Sequence, residues 1–212
     1  MKTVRSLCLS LLALGPLALA PAVAGPLDPP VLPPAPTPAA LQQIYDAVKP
    51  PGCFNNNPTG LRFVDCGNGT VQDIQSGLIW LKNANCLPLG TGLDWATANR
   101  RAAKLADGTS DGTACGLSDG SKAGTWRLPT DLEWGAVLNA GCATFPKIRD
   151  AAGTGCYSTG PWATGVATTQ YWSSTPFASN LGMAWIGHTG QGGVTVVTKP
   201  SSQIVWPVRA GP

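Results

Sequence analysis

The stretch "GTWRLPTDLEW", residues 124–134, contains the chain's only glutamate, Glu133, together with Arg127 and Asp131. A carboxylate used in acid–base catalysis must be free to take and give a proton. Thr130 and Glu133 stand at capping-box spacing, which assigns the glutamate to the start of a helix instead. The lone histidine, His188, lies in the glycine-rich "GHTGQGG" and reads as a hairpin residue rather than a general base. Serines abound, but with the single histidine a hairpin residue none has a base to activate it. Without a nucleophile, a base and an orienting group in recognisable order, the residues argue against an enzyme and imply no cofactor.

Metal chemistry fares no better. Asp107, Asp111 and Gly112 mimic positions 1, 5 and 6 of an EF-type loop, but position 3 is Thr109 and position 12 is Ser118, so the bidentate acid is missing. Residues 107–124 therefore read as a turn-rich loop. No C-x-x-C pair supports zinc. Setting Cys8 aside, Cys53, Cys66, Cys86, Cys115, Cys142 and Cys156 form an even set, which in an oxidising compartment reads as three disulfides. Neighbour pairing, Cys53 with Cys66, Cys86 with Cys115 and Cys142 with Cys156, is expected because each pair brackets a loop of turn residues. The count alone leaves the connectivity open.

One cluster could bind a ligand. In "TGLDWATANRRAAKLA", Trp95, Ala98, Ala102 and Leu105 fall on one helical face, while Arg100, Arg101 and Lys104 fall on the opposite side. They are either the solvated face of an amphipathic helix or an anion-contacting patch.

The elements that must carry these residues follow in chain order. Lys2 and Arg5, the apolar run from Leu7 to Ala20 and Ala22-Val23-Ala24 have the form of an export signal over residues 1–24. Subtracting Lys2 and Arg5 from the 14 basic residues leaves 12 against 11 acidic ones, a net charge of about +1. Such a chain does not attract nucleic acid as a whole, and any polyanion contact must be local. No later stretch approaches the roughly 20 apolar residues a membrane span needs. A soluble protein in the periplasm or at the cell surface is expected.

Residues 25–51 form a proline-rich spacer with a short amphipathic helix over about 38–49, where Leu41, Ile44, Tyr45 and Val48 repeat at helical spacing. So short a helix docks, pairs or frays. Residues 52–212 are of single-domain size. They open with two strands about an Asn68-Gly69 turn and a third ending near Lys82. Thr91 and Asp94 form a possible capping box for the first domain helix, and a second runs from Asp131 to Leu138. Strand-like "QYWSSTPF", "GMAWIGH", "GVTVVT" and "QIVWPVR" then follow, and the whole reads as an α+β fold with two helices and short antiparallel sheets.

The ordered blocks "RFVDCGNGTVQDIQSGLIWLKNANC", "CGLSDGS", "GTWRLPTDLEW", "YWSST", "AWIG" and "VWPVR" resemble the Lcl C-terminal domain family, the C-terminal module of bacterial collagen-like adhesins, over about residues 61–210. The resemblance implies a C-type-lectin-like fold with long loops, in which the chain ends pair as strands. Arg62 to Asp65 or Leu78 to Leu81 would then lie beside Val205 to Arg209. It also implies that Trp80, Trp126, Arg127, Leu128, Pro129, Tyr171, Trp172, Trp185, Trp206 and Arg209 are structural, with Trp126, Trp172 and Trp185 in the core. Two departures matter. The opening reads Asp65-Cys66-Gly67-Asn68-Gly69 and lacks the second aspartate of an acidic cation loop, and no collagen-like G-X-Y tract precedes the domain. None of the E-P-N, Q-P-D or W-N-D signatures of calcium-dependent lectins occurs.

The expected function is lectin-like binding, in adhesion or recognition of a polysaccharide or surface protein, with Arg100, Arg101 and Lys104 as the candidate ligand contacts. An interaction module without a saccharide ligand is the second reading, and an unrecognised enzyme the third.

Overall fold

Asn68 and Gly69 turn the first hairpin, β1 (Phe63–Asp65) and β2 (Thr70–Asp73), as their residue types require. In the computed structural model, which describes residues 37–39, 60–87 and 92–211, Gly69 adopts φ +82°. A Cβ there would also lie 2.3 Å from the Gly116 carbonyl oxygen, so backbone approach demands glycine twice over. Asn68 is buried, with its side-chain oxygen accepting from the Thr70 hydroxyl at 2.7 Å. β3 (Leu78–Leu81) pairs with β2, and every one of its residues is buried.

Among the described residues from 60 onward the fold is α+β with two antiparallel sheets and three α-helices: α1 (Trp95–Lys104), α2 (Ser110–Ala114) and α3 (Asp131–Val137). The first sheet has the order β1-β2-β3-β7, where β7 is Val208–Ala210 and Leu78, Ile79 and Trp80 face Ala210, Arg209 and Val208. Of the two terminal pairings implied by the resemblance, the one through Leu78 to Leu81 is present. The second sheet is β4 (Gln170–Pro176), β5 (Met183–His188) and β6 (Gly193–Thr198), in chain order.

Several expectations are corrected. The loop of residues 107–124 contains α2, a third helix capped by Thr109, whose hydroxyl accepts from the Gly112 amide at 3.0 Å. "QIVWPVR" is strand only at its end; before that, Gln203 bridges Leu93 and Ile204 bridges Tyr171, because Pro207 lacks the amide a continuous ladder needs. Asp94 itself caps α1 by accepting from the Thr97 amide at 3.1 Å, while Thr91 lies outside the described residues. Of the helix expected over 38–49, only Pro38 and Ala39 are described, and both are helical.

The core is a knot of rings. Trp206 has its centroid 5.3 Å from Trp80, 5.8 Å from Trp134, 5.4 Å from Trp162 and 5.6 Å from Tyr171. Its indole N–H donates to the Leu81 carbonyl at 2.7 Å, so the largest side chain is also satisfied. Trp126 and Trp172 are fully buried, but Trp185 is only half-buried, stacked edge-on against Phe177 at 5.6 Å. It sits on β5, the middle strand of the second sheet, opposite Val196 of β6. Cys86–Cys115 and Cys142–Cys156 are disulfides, and Cys66 is also oxidised; Cys53 lies outside the described residues.

Truncating a ring packed against four others leaves a large cavity. Trp206→Ala is expected to cost about 3 to 5 kcal/mol and Trp185→Ala clearly less, read by thermal or denaturant unfolding. Equal costs would contradict this division of the tryptophans.

Candidate functional site

α1 and α2 together line a groove that carries three basic residues of α1. Ala98 and Ala102 bury one face of α1, and Leu105 closes it at the C-cap. α2 then stacks against the chain leaving α1 so closely that a Cβ on Gly112 would stand 1.9 Å from the Ala106 carbonyl oxygen. The Cys86–Cys115 disulfide holds the C-cap of α2, with Cα atoms 4.9 Å apart. Between the helices runs a shallow groove of about 350 Å³ lined by Thr97, Arg100, Arg101, Lys104, Ser110 and Asp111.

The three sequence candidates share this groove but not one role. Arg101 donates to Asp111 at 2.6 Å in an ion pair that joins α1 to α2. Arg101 is therefore not simply part of a solvated face: it is half-buried and serves the scaffold as well. Arg100 is exposed and donates to the Thr97 hydroxyl at 2.8 Å. Lys104 is exposed in the last turn, where a cation also favours the helix dipole. The sequence reading missed Thr97, Ser110 and Asp111. The Thr109 cap followed by Asp111 signalled α2, but five residues give no periodicity to read.

Elsewhere the charged motif residues are occupied. Glu133 accepts two bonds from Arg127, both at 2.7 Å, and one from the Thr130 amide at 2.7 Å, completing the capping box on α3. Burial pushes its carboxyl up, but Arg127 and Thr130 outweigh that and hold it below its ordinary value. Asp73 behaves alike: burial raises it, while Arg62, Ser76 and the Gln75 amide lower it further. Arg62 pairs with Asp73 at 2.7 Å, the carboxylate buried and the arginine half-buried.

Arg209 reaches Asp119 at 3.1 Å, and Asp119 also accepts from the Ser121 hydroxyl at 2.6 Å. Ser121 in turn accepts from the Trp126 indole at 3.0 Å, and the Arg209 guanidinium lies 5.5 Å over that ring. Three sequence blocks, "CGLSDGS", "GTWRLPTDLEW" and "VWPVR", thus meet in one buried network. The chain carrying these blocks matches the model of a known family over residues 69–209.

The chain belongs to the Lcl C-terminal domain family. No curated protein and no solved structure matches it. In this Lcl C-terminal domain, Leu128 is buried beside Arg127, and the Pro129 carbonyl accepts from the Ser174 amide at 2.7 Å, which ties the third block to β4. His188 Nδ1 accepts from the Gly190 amide at 3.2 Å inside the β5–β6 hairpin. Asp107 accepts from the Gly120 amide at 2.8 Å while Asp111 turns to Arg101, so the two acids of the EF-like stretch diverge. Among the described residues no three His, Cys, Asp or Glu converge as metal ligands, and no helix is long and apolar enough to cross a membrane.

Carboxylates held below their ordinary values stabilise the fold above those values. The unfolded chain, with pKa values near 4, takes up protons first as pH falls. This contribution is therefore complete above about pH 5 and is lost progressively through pH 4 and below. Melting temperature is expected to be flat down to about pH 5 and to fall steeply beneath pH 4; a flat profile to pH 2 would contradict the assignment of Asp73 and Glu133.

Proposed function

We infer that this Lcl C-terminal domain is an exported, C-type-lectin-like binding module that recognises an acidic polysaccharide or protein surface in adhesion and performs no catalysis of its own. The observation that carries the reading is the α1–α2 groove, in which Arg100 and Lys104 stand exposed while Asp73, Asp119 and Glu133 are each paired with an arginine elsewhere in the fold. The pairing of β3 with β7 near the two ends of the domain, flanking helices and long loops support the lectin-like description. Three oxidation-dependent features, Cys86–Cys115, Cys142–Cys156 and the oxidised Cys66, support an oxidising compartment, in keeping with the leader-like residues 1–24.

A second reading, an interaction module without a saccharide ligand, is favoured by one observation: the Arg101–Asp111 pair gives part of the cluster a structural role. Binding to immobilised sulfated polysaccharide at low and high salt separates the two. With charge screened over about 8 Å at physiological ionic strength, contact through exposed side chains is strongly salt-sensitive. Changing Arg100 and Lys104 together to glutamine is expected to weaken binding about tenfold with melting unchanged, since exposed charges add little to stability. Asp111→Asn releases Arg101 and is expected to strengthen binding. Salt-insensitive binding that survives the double change would move the site to the loops of residues 157–169, and no binding would favour the second reading.

A further inference from the structure

Each sheet of this domain has two edges, and three of the four are closed. At β1 the Phe63 amide donates to the Ala151 carbonyl at 2.9 Å. At β7, Val208 exchanges both backbone bonds with Arg127, at 2.9 and 2.8 Å. At β4 the Trp172 amide donates to Ile204 at 3.0 Å and the Ser174 amide to Pro129 at 2.7 Å, and the strand is further broken by an irregular register and Pro176. Such devices, along with edge lysines and bulges, keep sheet edges from pairing with other chains.

β6 has none of them. Its sequence Gly193-Val-Thr-Val-Val-Thr198 carries no charge, no proline and no bulge, and five of its six residues are β-branched. The Lys199 amide donates to Gly182, and the β5–β6 register runs unbroken from there. Bonded pairs alternate in an antiparallel ladder, so Ala184–Val197, Ile186–Thr195 and His188–Gly193 exchange bonds and the backbone groups of Val194 and Val196 point away from β5. Among the described residues those groups have no hydrogen-bond partner. None of the three valines on β6 is fully buried, and Val194 is 37% exposed.

We propose that β6 is a homodimer interface, in which two copies of this chain pair their β6 strands antiparallel about a two-fold axis at Thr195. The free groups complement themselves in this register: the Val194 amide meets the Val196 carbonyl of the other copy, the reverse bond forms beside it, and symmetry doubles both to four. Val194 then lies opposite Val196 across the junction, an apolar β-branched pairing that stabilises antiparallel strands. Charge permits it as well. In the same register Lys199 lies opposite Gln191, so no like charges meet. A closed two-fold pairing uses up both edges and stops at two copies. The inference stands apart from the ligand reading, although two linked grooves would raise avidity for a repeating polymer.

The test is sedimentation equilibrium of the whole chain with its disulfides intact, together with amide exchange at a concentration where the dimer dominates and one where it does not. A dimer that dissociates on dilution is expected. The Val194 and Val196 amides are expected to exchange about tenfold more slowly or better at the higher concentration, while the Thr195 amide, already bonded to β5, changes little. Because residue 195 faces its own copy, Thr195→Lys and Thr195→Asp are each expected to be monomeric and their equal mixture dimeric. A monomer at every concentration, a trimer, a dimer that persists in Thr195→Lys, or a dimer whose Val194 and Val196 amides gain no protection overturns the proposal. The exchange readout on the unaltered chain holds even if a Thr195 variant fails to fold.

Discussion

Trp206 packs against four aromatic rings and donates its indole N–H to Leu81, and the segment that carries it stitches the domain together. Gln203 exchanges backbone bonds with Leu93 at 3.0 Å each, just before α1. Ile204 then bridges the second sheet, the Pro207 carbonyl accepts from Leu81, and Val208 joins Arg127 to β3. One short stretch near the end of the chain thereby fixes both sheets and the entrance to α1 and α3. The large rings fill the space that this stitching encloses, and their burial supplies the main favourable term.

That enclosure decides what the charges can do. In Arg62–Asp73 and Arg209–Asp119 the carboxylate is buried and the arginine half-buried, so removing the arginine would strand a desolvated charge. Arg127–Glu133 is more exposed and works through geometry, setting the cap of α3. With these acids paired, the surface between α1 and α2 stands out because Arg100 and Lys104 form no ion pair among the described residues, Asp111 being taken by Arg101. α2 matters to the site for the same reason. It supplies the counter-charge and the far wall, and the Cys86–Cys115 disulfide pins it.

Much of this was legible in the sequence where the signal is local. The Asn68-Gly69 turn, the Thr130–Glu133 capping box and the basic face of α1 each follow from residues within one turn or one helix. The pairing of β3 with β7 was legible only through family resemblance, since no local pattern records a contact between residues 80 and 208. Arg101–Asp111 escaped because ten positions separate the partners and a bend intervenes. Trp134 and Trp162 were not singled out, yet both belong to the ring cluster; the spacing of Trp134 to Val137 along α3 was the available clue. Trp185 was placed in the core by the resemblance, whereas burial also depends on what covers the sheet.

The central claim is a separation: tryptophans and ion pairs on buried carboxylates build the fold, and the binding we propose falls to exposed cations on α1. Amide chemical-shift mapping during titration with short sulfated oligosaccharides tests it most directly, since folding and contact are read residue by residue in the unaltered protein. The account predicts shifts confined to the groove, at Thr97, Arg100, Lys104 and Ser110, with Trp126, Trp172 and Trp206 unmoved. Shifts centred on the tryptophans or on residues 157–169, with the groove silent, would contradict it.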